Sequence, residues 1–70
     1  MKHTTEEYLA WIDEQESSDK LINALRLANR DVLEMKPIPN AANVGEYAVG
    51  YNEMLAMLQN NVTSRLDEVM

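Results

Sequence analysis

Residues 44–69 read VGEYAVGYNEMLAMLQNNVTSRLDEV, and within them Val44, Ala48, Tyr51, Leu55, Leu58, Val62 and Val69 recur at 4-3-4-3 spacing, interrupted by Arg65. Side chains spaced this way line one side of an α-helix, whose period is about 3.6 residues. The middle of the chain repeats the pattern, with Leu21, Leu25, Ala28, Val32 and Met35 as a second stripe that Ile22 and Leu33 widen. Two such helices bury their stripes by facing each other. The predicted fold class is therefore all-α: a short N-terminal helix plus a long antiparallel helical hairpin, three-helix bundle-like, in a single domain over residues 1–70.

Local signals set the expected boundaries. Thr4 with Glu7 three residues later matches a capping box, in which the threonine oxygen takes a backbone N–H and the glutamate returns the bond. A first helix is predicted over about 5–15, carrying Tyr8, Leu9, Trp11 and Ile12. At roughly 11 residues it is too short to hold alone in water, so it must pack on the hairpin or on a partner. Ser17, Ser18 or Asp19 can cap a second helix over about 19–36, and Pro37 stops it by disfavouring the α region at Lys36. Pro37 and Pro39 each fix φ, which predicts a rigid loop over 37–43. Asn43 with Glu46 repeats the capping arrangement ahead of a third helix over about 44–68. By its rise that helix runs roughly 37 Å against roughly 27 Å for the second. Its last turns, with Leu66, Val69 and Met70, are expected to overhang and to need cover from the first helix or from another chain.

With 70 residues, the chain buries a smaller fraction of its surface than a larger domain does and needs reinforcement. Cysteine is absent and His3 is the only histidine, which leaves neither a disulfide nor a Cys/His metal site, and nothing implies a cofactor. Oligomerisation remains. A homodimer is expected through the third helix, along a seam of Tyr47, Tyr51, Met54, Met57, Leu58, Val62, Leu66 and Val69, where methionines make an adaptable contact and tyrosines a half-buried one.

Net charge is −6 and the sequence pI near 4.5, which argues against direct binding to nucleic acid or to anionic lipid. No apolar run approaches the roughly 20 residues a membrane span needs, and acids stand at Glu6 and Glu7 where a signal peptide would be apolar. A cytoplasmic location is expected. The charge is uneven: residues 1–19 hold six acids against Lys2 alone. Glu6, Glu7, Asp13, Glu14 and Glu16 form a candidate acidic face for a larger partner protein with a basic surface.

Catalysis has no foothold, because no nucleophile, histidine pair or metal set accompanies the carboxylates. The expected function is that of a small acidic, non-catalytic, stoichiometric inhibitor or adaptor. Its size and charge fit an accessory protein of a phage or mobile element that blocks a basic nucleic-acid-binding partner. A second reading uses Asn23, Arg26 and Arg30 on the side of the second helix that its stripe leaves exposed. An arginine pair one turn apart can grip a phosphate, so with Tyr51 at a subunit junction it could sequester a small nucleotide-like ligand. A structural oligomerisation module is the third.

Overall fold

The capping box forms where the sequence puts it: Thr4 Oγ1 accepts from the Glu7 N–H at 3.2 Å, and Glu7 Oε1 accepts from the Thr4 N–H at 2.9 Å. It opens α1, Thr5–Glu14, the first of four helices in the computed structural model, which describes residues 2–70. The others are α2, Lys20–Glu34, α3, Ala41–Val44, and α4, Glu46–Val69, with no strand among the described residues. Asp19 caps α2, its Oδ1 accepting from the Leu21 and Ile22 N–H groups, while Ser17 Oγ accepts from the Asp19 N–H and holds the cap in place.

Three boundaries differ from those expected. Helix α2 ends at Glu34 rather than at Lys36, because Met35 is already extended (φ −64°, ψ 139°). Pro37 constrains Lys36, but a side chain of α4 decides the earlier exit: Gln59 Nε2 donates to the carbonyls of Val32 and Met35 at 3.1 and 2.8 Å. The Val32 carbonyl also accepts from the Met35 N–H at 3.3 Å, so Gln59 adds a second donor there and supplies one to Met35, just past the helix end. The loop expected over 37–43 contains the single turn α3, entered through Asn40 in the left-handed region (φ 56°). The third predicted helix starts at Glu46 and not at Val44, since Gly45 takes φ 142°, a conformation that residues with a Cβ rarely adopt. Asn43 therefore lies inside α3 and does not cap α4, whose N-terminus has no side-chain cap.

Pairings between α2 and α4 step in opposite directions along the two helices. Leu33 joins Val62 and Leu66 in one cluster, Gln59 reaches Met35, and Asn52 reaches Ile38. Helix α1 lies over this contact and contributes Tyr8 and Ile12, the best-covered side chains of the core cluster. Leu9, Trp11 and Val32 pack against the cluster. The Tyr8 O–H donates to Asp67, and the Lys2 and His3 backbone N–H groups donate to the same hydroxyl at 3.0 and 3.3 Å. The expected overhang is thereby reversed. Toward the end of α4, Leu66 is buried beneath α1 while Val69 and Met70 stay exposed, whereas the turns from Glu46 to Leu55 run on beyond the end of α2. There α3 folds back on α4, and Ala48 and Leu55 are buried one turn either side of Asn52.

The molecule measures 44 × 26 × 16 Å. Packed helices lie about 8–10 Å apart, so its shortest dimension admits two layers and not three. Long helices in a two-layer molecule keep an outer side.

Candidate protein-docking surfaces

The first three residues of the second stripe are turned out rather than in, while Val32 packs against the core. Leu21 is 70% and Leu25 59% exposed, and Ala28 is exposed as well, whereas Asn23, Arg26 and Arg30 are half-buried. At about 100° per residue the two groups point to nearly opposite sides of α2, so packing one against α1 and α4 leaves the other uncovered. This inverts the expected placement. The arginines face inward because α1 offers them acceptors: Arg30 Nε meets Asp13 Oδ1 at 2.8 Å, Arg26 Nη1 lies 3.9 Å from the same oxygen, and Arg26 also donates to the Ile12 carbonyl at 3.3 Å. Arg26 Nε is bonded to Asn23, and Arg30 to Glu34. The arrangement ties α1 to α2 and commits both guanidiniums within the chain. Tyr51 stands on the part of α4 that runs beyond α2, so the chain does not bring it to the arginines.

Helix α4 carries two interleaved 4-3-4 series. Ala48, Asn52, Leu55, Gln59, Val62 and Leu66 face inward and are buried or half-buried. Tyr47, Tyr51, Met54, Leu58, Asn61 and Arg65 form the other series, confined to about 80° of the circumference, and all are exposed. The apolar stripe read from sequence mixes the two. Its Tyr51 and Leu58 belong outside, and their inward places are taken by Asn52 and Gln59. Asn52 Oδ1 accepts from the Ile38 N–H at 2.7 Å while Nδ2 donates to the Ile38 carbonyl at 3.0 Å. The half-buried amide is tolerated there because both its ends are bonded. Sequence reasoning missed Asn52 and Gln59, although the second series was there to be counted.

Of the expected dimer seam, Val62 and Leu66 lie in the protomer core, because α1 covers that end of α4. Tyr47 (98%), Met54 (64%) and Met57 (68%) are open, as are Tyr51, Leu58 and Val69. Of the expected acidic face, Asp13 is committed to the arginines and Glu7 to the helix cap, where the Thr4 N–H chiefly holds its carboxyl below the usual range. Glu6, Glu14 and Glu16 are exposed and form no ion pair among the described residues.

Two grooves flank the core. One of about 340 Å³ lies between α1, α2 and the end of α4, lined by Trp11, Ile12, Ile22, Leu25 and Leu66. The other, about 750 Å³, is lined by Leu9, Leu33, Met35, Gln59 and Thr63, with Glu34 and Lys36 at its wall. Among the described residues no three histidines, cysteines or carboxylates gather as metal ligands would, and no helix is long and apolar enough to cross a membrane. These surfaces can exclude water from an apolar partner and attract a basic one. Comparison with protein-family models, with curated proteins and with solved structures finds no match to the chain.

Proposed function

We propose that this is a non-catalytic protein-binding module, a small acidic inhibitor or adaptor that acts by stoichiometric docking. One observation carries the reading: among the described residues fourteen large hydrophobic side chains are exposed, against seven hydrophobic residues buried. Scattered apolar residues on a surface need no explanation, but contiguous helical stripes do, since monomeric proteins rarely leave large apolar patches open. The apolar faces lie on α2 and α4, and the unpaired carboxylates Glu6, Glu14 and Glu16 lie on and just after α1. A homodimer closed through α4 and a larger basic partner met by α1 use different surfaces and are compatible.

The acidic docking is tested by capture on the immobilised protein, comparing the native chain with a triple Glu6→Lys, Glu14→Lys, Glu16→Lys variant. Glu7 and Asp13 are left alone, because reversing them would damage the helix cap and the α1–α2 tie. The expected result is a basic protein retained by the native chain at about 0.15 M salt and lost both by the variant and at about 1 M salt, where charge attraction is screened within roughly 3 Å. A partner held equally by both chains, regardless of salt, would overturn it.

A further inference from the structure

We infer that the outer series of α4 is covered by a second copy of this chain, lying antiparallel across a two-fold axis at Ala56 and Met57. The inference rests on reading this face as a docking surface and adds the occupant and its register. In a two-fold interface residue i meets residue j and j meets i, so a stripe can close on itself only if its two halves are complementary. This one is. Antiparallel pairing about Ala56 sets Met54 against the partner's Leu58, Tyr51 against the partner's Asn61, and Tyr47 against the partner's Arg65. The central layer is apolar, with a methionine to absorb imperfect fit. Next to it a phenol meets an amide that can donate or accept. The outermost layer places a guanidinium over an aromatic ring, a favourable cation–π contact. Parallel in-register pairing instead stacks Arg65 on Arg65 and Asn61 on Asn61, bringing like charges together. The polar end of the stripe thus selects the antiparallel arrangement.

Two further features agree. Gly50, Met57 and Ser64 run along the flank of the outer series away from Ala48, Leu55 and Val62, so the same axis sets Gly50 against the partner's Ser64 and Met57 against its own copy. A Cβ at Gly50 would meet nothing within 4 Å, so the protomer gives no packing reason for a glycine inside α4. A helix-interior glycine costs roughly 1 kcal/mol relative to alanine, and close approach of another helix is a reason to keep it. Burying Tyr47, Tyr51, Met54, Met57 and Leu58 from both copies removes on the order of 1,200 Å² from water, the lower bound for a specific interface.

The chain has no cysteine, so single engineered thiols report the register by oxidative cross-linking of otherwise native protein. Met57→Cys, at the axis, is expected to link to itself and double the 8.0 kDa mass. Tyr47→Cys alone is expected to stay unlinked but to join Arg65→Cys when the two are mixed. Self-linking of Tyr47→Cys with none at Met57→Cys overturns the antiparallel register while leaving a dimer on this face. Native protein sedimenting at 8.0 kDa up to about 100 μM overturns the self-docking itself, and the capture experiment above still judges the acidic surface separately. Gly50→Leu has open space in the protomer, so it is expected to keep the helical circular dichroism while raising the dimer dissociation constant at least about tenfold. An unchanged dissociation constant would place the contact elsewhere.

Discussion

Tyr8 joins the two ends of the chain. Its ring is fully buried in the core cluster, and its hydroxyl donates to Asp67, 59 positions away in sequence, while accepting from the backbone of Lys2 and His3. Tyr8→Phe keeps the ring and removes a bond to a charged acceptor, so a loss of about 1–3 kcal/mol in urea denaturation is expected. The same bond sets a pH dependence with a definite sign. The Tyr8 hydroxyl holds the Asp67 carboxyl below its usual range, and the Thr4 N–H does the same for Glu7. Because the folded state favours both ionised forms, their contribution is complete above about pH 5 and is lost progressively as pH falls below that. Burial, and then the bond to Asp67, push the Tyr8 phenol above its usual range. Its contribution is therefore complete below about pH 10 and is lost as pH rises further. Stability against pH should fall away at both ends, and in Tyr8→Phe the alkaline limb should vanish and the acid limb shrink; a profile identical to that of the native protein would mean that the hydroxyl is not coupled to folding. Thr4 and Glu7 were legible as a cap, and Asp19 as one of three candidates with Ser17 and Ser18, since capping depends on neighbours two or three residues away. Tyr8–Asp67 was not, because nothing local relates residues so far apart.

At the scale of the element, α2 and α4 each carry more apolar residues than one contact can bury, and packing chooses among them. On α2 the choice falls on Leu33 with the arginine side, because Asp13 and the Ile12 carbonyl of α1 satisfy groups that would be costly to leave unpaired beneath another helix. The leucine stripe can stay in water at a smaller penalty. Leu33→Ala should accordingly cost about 2–5 kcal/mol, whereas Leu21→Gln and Leu25→Gln should each change protomer stability by less than about 0.5 kcal/mol. Equal losses at Leu25 and Leu33 by thermal denaturation at low concentration would show that the stripe, and not the arginine side, faces the core. On α4 the choice is made by amides. Gln59 closes the open end of α2 and Asn52 holds the proline loop, so Gln59→Leu should cost about 1 kcal/mol and loosen the last turn of α2, measurable as faster amide exchange there. Periodicity located these helices within a few residues, and Pro37 located the break. Which of two overlapping stripes turned inward was not legible, since a 4-3 repeat beginning at Tyr47 and one beginning at Ala48 satisfy the same helical period.

As a whole molecule the chain is a two-layer object whose core draws on residues from its first helix to its last, with apolar faces left on the outside of α2 and α4. If a second copy covers α4, stability becomes concentration-dependent, because anything that binds only the folded state adds to it by mass action. The midpoint of thermal unfolding should then rise with protein concentration between about 1 and 100 μM, and a midpoint constant over that range would mean a self-sufficient protomer. The all-helical class, the positions of three of the helices, the caps of the first two and the excess of acid toward the N-terminus follow from sequence alone, because each depends on spacing, propensity or charge within a few turns of chain. The tertiary structure decided the rest: the single turn α3, the end of α4 that runs beyond α2 and meets α3, the inward arginines, the amides beneath the loop and the leucines left in solvent. Helical period says which residues share a side, but only the competition among all the elements for partners says which side is buried.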